Sequence, residues 1–78
     1  MFKEPTYDEL MARNDVIFIS EYGDYLYVAL PAEEMFDNTI WQVDKRTKEV
    51  TYRMFTDYII NVSSRAKYIK APEWETQE

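Results

Sequence analysis

The chain has 78 residues and a net charge of −6, with 9 Lys and Arg against 15 Asp and Glu. It has no cysteine and no histidine, which excludes disulfide staples, thiolate zinc sites and every nucleophile–histidine device. Its one glycine, Gly23, leaves no Gly-rich phosphate loop, while 46% hydrophobic and 17% aromatic content is too apolar for a disordered tail. The composition argues for a protein that is not an enzyme and has neither cofactor nor metal.

In chain order, Pro5-Thr6-Tyr7-Asp8-Glu9 opens a short helix ending near Arg13-Asn14. Thr6 as N-cap with Glu9 three residues on forms a capping box, and Asp8 and Glu9 suit the positive end of the helix dipole. Val16-Ile17-Phe18-Ile19 is a β-branched and aromatic run that predicts a buried strand. Tyr22-Gly23-Asp24 supplies a turn, and Tyr25–Leu30 is the partner strand. Pro31 stops that strand, since proline has no N–H for a ladder. Residues 32–38 read as an acidic loop or a single helical turn, and Thr39–Asp44 as a third strand.

Lys45-Arg46-Thr47-Lys48 is a polar turn leading to a fourth strand, Glu49–Phe55. Phe55, Ile59, Val62, Ala66 and Ile69 then recur at steps of four and three, which predicts a C-terminal helix with Thr56 as cap. The β-branched Ile59, Ile60 and Val62 would also suit a strand. The sum is an α+β domain over residues 1–72: a four-stranded antiparallel sheet of two hairpins, with helices covering one face. Residues 73–78 are expected to be an acidic, frayed tail.

Strand alternation divides the side chains between two faces. Leu26, Val28, Leu30, Trp41, Val43, Val50, Tyr52 and Met54 are expected to point at the helices. Tyr25, Tyr27, Gln42, Thr51 and Arg53 are then expected on an uncovered face. Tyrosine and arginine couple large contact area to a polar handle and are enriched at binding hot spots. Tyr25, Tyr27, Gln42 and Arg53 are therefore candidate partner-binding residues, with Glu33, Glu34 and Asp37 as an acidic rim. That acidic trio lacks the oxygen spacing and turn glycine of a calcium loop. An alternative ligand-binding set is Arg53, Arg65, Lys67 and Tyr68, bases that would neutralise phosphates beside a ring that stacks on a nucleobase.

Charge is unevenly placed. Residues 1–44 hold ten acids against Lys3 and Arg13, whereas residues 45–70 hold seven bases against Glu49 and Asp57. Opposite poles can steer a charged partner, unless the fold interleaves the segments and averages them away. The overall acidity disfavours direct nucleic-acid binding. The start Met1-Phe2-Lys3-Glu4-Pro5 lacks a basic n-region and apolar run, and no stretch approaches the ~20 apolar residues of a membrane span. A cytoplasmic protein without membrane association is the expectation.

Trp41-Gln42-Val43-Asp44-Lys45-Arg46-Thr47-Lys48-Glu49-Val50, followed by Phe55-Thr56-Asp57-Tyr58, resembles the W-x-V-D-K-x-T-G-x-V hairpin of small phage and bacterial proteins. The match covers about a quarter of the chain and departs from the pattern at Lys48, where glycine is usual. In size, acidity and α+β character the chain is also similar to phage anti-defence proteins, including anti-CRISPRs and nucleotide-signal sponges. The resemblance implies a phage-type protein that binds and blocks a host protein, in the cytoplasm of the bacterial host. It transfers no site residue. The alternative it implies is a homo-oligomer that sequesters a phosphate-bearing nucleotide.

Overall fold

A computed structural model describes residues 4–31 and 38–72. The elements are α1 (Tyr7–Ala12), β1 (Phe18–Tyr22), β2 (Tyr25–Leu30), β3 (Thr39–Asp44), β4 (Val50–Arg53), α2 (Phe55–Asn61) and β5 (Lys67–Lys70). The fold is α+β, with an antiparallel sheet of five strands in the order β4-β3-β2-β1-β5.

Both expected hairpins form. Tyr22 faces Tyr25 across Gly23-Asp24, and Gly23 has φ 62, the positive angle a two-residue type II′ turn requires at its first position. The β3–β4 turn is organised by Asp44, whose Oδ1 accepts from the backbone N–H of Arg46 at 2.8 Å and of Thr47 at 3.1 Å. Those two N–H groups, Thr47 first, hold the Asp44 carboxyl below its usual value. The turn closes through Lys48 at φ 66, so a lysine adopts the backbone conformation where the resembled hairpin carries glycine. Thr6 and Glu9 form the expected capping box, at 3.2 and 3.0 Å.

Three expectations are corrected. First, the C-terminal helix stops at Asn61, and Lys67–Lys70 is a fifth strand paired with β1. Ser63 ends the helix: its hydroxyl donates to the Ile59 carbonyl at 2.9 Å, while its N–H reaches the Tyr58 carbonyl. Such back-bonding competes with helix continuation, and β-branched Ile59, Ile60 and Val62 add little helix propensity to resist it. The cap position falls on Met54, which has no side-chain bond, and not on Thr56.

Second, the helices cover opposite faces. Leu10 of α1 packs with Val28, Leu30, Trp41 and Val43, with Tyr7 and Met11 alongside. Tyr58 of α2 and Val62 pack with Phe18, Tyr27, Ala29 and Ile40. A strand buried on both sides reads as a continuous apolar run, which is what Tyr25-Leu26-Tyr27-Val28-Ala29-Leu30 is. Third, β4 lies at the rim of the α1 layer. Val50 packs against that core, but Tyr52 is 40% exposed against the edge of Trp41, and Met54 is 61% exposed. A six-residue helix spans only about 9 Å and does not extend over the whole sheet.

Candidate functional site

The candidate residues of the α2 face separate into a part-buried network that ties the sheet to α2 and an exposed aromatic patch. Tyr27 was expected in the open, but α2 lies over it and leaves it 5% exposed, its ring 5.5 Å from that of Tyr58. Desolvation raises the pKa of both hydroxyls. Tyr27 Oη donates to Gln42 Oε1 at 3.1 Å, and Arg53 Nη1 approaches the same oxygen at 3.4 Å. Arg53 Nη2 donates to Asp57 Oδ2 at 2.6 Å, and Asn61 Nδ2 donates to Asp57 Oδ1 at 2.7 Å. Arg53 first, then Asn61, hold the Asp57 carboxyl below its ordinary value. Tyr27, Gln42 and Arg53 do come together as the sequence suggests. The Tyr27 hydroxyl, the Gln42 Oε1 and part of the Arg53 guanidinium are engaged with one another and with α2.

A second polar bond fixes α2 from below. Ser20 is fully buried on β1, and its Oγ lies 2.7 Å from Tyr58 Oη. Among the described residues no buried side-chain polar atom lacks a hydrogen-bond partner.

The exposed patch lies beyond α2, at the hairpin end of the same face. Tyr22 and Tyr25 are direct cross-strand partners, each 36% exposed. Tyr68 stands opposite Ser20 on β5, two residues along from the position facing Tyr22, and is 44% exposed with its ring edge-on to Phe18. Arg65, in the turn after α2, donates from Nη1 to Tyr22 Oη at 3.4 Å. Of this patch, sequence reading picks out Tyr25, Arg65 and Tyr68 for separate reasons and misses Tyr22, which it spends on the turn. The available signal is parity. Two residues flanking a two-residue hairpin loop share a face.

The alternative ligand set is not gathered. Arg53 is on β4 and Tyr68 on β5, the two edges of the sheet, about 19 Å apart at four strand spacings. Lys67 faces Glu21 across the β1–β5 ladder, and Lys45, in the turn after β3, also pairs with Glu21. Lys45 first, with Lys67 adding to it, lowers the Glu21 pKa. The basic and acidic segments thus interleave here. Glu33, Glu34 and Asp37 lie outside the described residues, as does the 73–78 tail. Among the described residues no helix is long and apolar enough to cross a membrane.

Compared with protein-family models, with curated proteins and with solved structures, the chain finds no match in any of the three.

Proposed function

We propose that this chain is a non-enzymatic, phage-type interaction protein that binds and blocks a host protein, with components of antiviral defence as the target class. The observation that carries the reading is the Tyr22–Tyr25 pair with Arg65 beside it and Tyr68 on the neighbouring strand. Rigid aromatic rings on paired strands present contact area at little entropic cost, because their backbone is already fixed. Tyr25 is kept from the original candidate set. Tyr27, Gln42 and Arg53 hold α2 in place beside this surface, and Glu33, Glu34 and Asp37 supply an acidic rim.

The test compares the wild-type chain with Tyr22→Ala/Tyr25→Ala in native mass spectrometry after incubation with host lysate, followed by titration of the captured protein. The wild type is expected to hold one host protein, and the double variant to bind it at least about 30-fold more weakly, as loss of a hot spot implies. Circular dichroism checks that the variant is folded. Equal affinity in a folded double variant would remove this patch from the interface.

A further inference from the structure

We infer that the β4 edge of the sheet pairs antiparallel with β4 of a second copy of this chain, about a two-fold axis through Thr51. The two edges of the sheet differ in how they are guarded. On β5, the register with β1 slips between Ile19 and Ser20, which leaves Ile69 as a bulge, with Lys67 and Lys70 on either side and Pro72 close behind. Bulges, lysines and prolines are the devices that stop an edge strand from recruiting another. β4, Val50-Thr51-Tyr52-Arg53, has no bulge, lysine or proline and pairs in regular register with β3.

Its sequence is complementary to itself. The Asp44 N–H donates to the Glu49 carbonyl at 3.0 Å, which fixes the alternation along the β3–β4 ladder. Glu49, Thr51 and Arg53 turn their backbone groups toward β3, and Val50 and then Tyr52 direct theirs outward. Two outward-directed residues must face each other in any strand added at this edge. The centred solution sets Val50 opposite Tyr52 of the second copy, and Tyr52 opposite Val50 of the second copy. Thr51 then meets Thr51 of the second copy, and Glu49 meets Arg53 of the second copy.

Every resulting pair is a favourable one. Aromatic–β-branched, Thr–Thr and opposite-charge pairs each stabilise antiparallel ladders. The Val50–Tyr52 pairs extend the apolar row of Val43 and Trp41 on the α1 face. Glu49 is exposed at the end of the turn. The Arg53 guanidinium has five N–H donors, of which Asp57 and Gln42 engage only some. This surface is separate from the Tyr22–Tyr25 patch, which lies across the sheet on β1 and β2.

Sedimentation equilibrium over a broad concentration range tests the inference. The wild-type mass is expected to rise toward twice 9.4 kDa. Thr51→Lys and Thr51→Glu each place like charges on the axis and are expected to weaken the dimer at least about tenfold. Mixing the two variants is expected to restore it, because the axis then joins lysine to glutamate. Thr51 is exposed, so both variants fold, which circular dichroism checks. A wild type that stays monomeric throughout would overturn the inference. So would a dimer indifferent to Thr51→Lys, or variants that do not pair when mixed. Tyr22→Ala/Tyr25→Ala is expected to dimerise like the wild type, which keeps this result separate from the host-binding one.

Discussion

On the α1 side of the sheet, Leu10, Val28, Leu30, Trp41 and Val43 pack with little polar content, the indole N–H of Trp41 donating to Thr39 Oγ1 at 3.0 Å. On the α2 side, Phe18, Tyr27, Tyr58, Ile40 and Val62 pack around hydroxyls that bond Ser20 and Gln42. Both sides bury apolar area, which stabilises without direction. Among the described residues, the α2 side adds side-chain bonds from sheet to helix, Ser20 to Tyr58 and Arg53 to Asp57, that demand a particular position of the helix. An apolar layer tolerates small slips, whereas a buried hydroxyl displaced from its partner loses the bond and stays desolvated. The α2 side therefore sets how the end of the helix, Arg65 and the tyrosine patch are held. The α1 side supplies bulk stability.

The largest expected break in this comparison is Trp41→Ala. Removing a buried aromatic costs about 3–5 kcal/mol, which rivals the whole stability of a domain this small. Urea unfolding should show a collapsed midpoint, and a midpoint near wild type would mean that the α1 layer is not the main store of stability. Next in size, Tyr58→Phe leaves the Ser20 hydroxyl buried without its partner and should cost about 1–3 kcal/mol. Adding Ser20→Ala should recover part of that loss, since the orphaned hydroxyl is then gone. Simple additivity of the two substitutions would argue against the bond as the anchor of α2.

The same tyrosines give a pH signature. Burial raises the Tyr27 and Tyr58 pKa values, so the unfolded chain ionises first. Stability is then intact below the ordinary tyrosine value of 10.0 and is lost as pH rises beyond it. The alkaline slope of the urea midpoint should be shallower in Tyr58→Phe. The smallest effect sharpens the comparison at its margin. Lys48→Gly relieves a positive φ but removes the Lys48 ammonium from over the Tyr7 ring, at 4.7 Å. The two effects oppose, and a net gain below about 1 kcal/mol is expected in the same unfolding assay.

Local chemistry was the part of the fold that could be read from the residues. Thr6 and Glu9, Gly23, Pro31 and the Asp44–Lys48 turn each act within a few positions, and helix α1 and both hairpins follow from them. The fifth strand and the placement of α2 depend on distant partners. Ala66 fits the helical period because it packs on the Phe18–Tyr58 core from the turn after α2, not from a longer helix. Ile69 fits the period by coincidence and is 59% exposed in the bulge. The candidate site shows the same division. Alternation assigns Tyr25, Tyr27, Gln42 and Arg53 to one face correctly. Only knowledge of where α2 lands tells that Tyr27 is covered and Tyr25 is not.

The position of β5 bears on the order in which the chain can fold. The four strands β1 to β4 follow one another as neighbours and can zip through short loops, a route of low entropic cost. β5 must return across the whole meander to reach β1, and the bond from Lys70 Nζ to the Val16 carbonyl joins residues 54 apart in sequence. During synthesis β1 therefore waits with one side open until β5 has emerged. The segment that finally closes it, α2 with β5, is also the segment that brings Tyr58 to Ser20 and Arg65 to Tyr22. The Tyr22–Tyr25 pair thus forms with the first hairpin, and Arg65 and Tyr68 join it only when α2 and β5 dock, so the complete patch is assembled late.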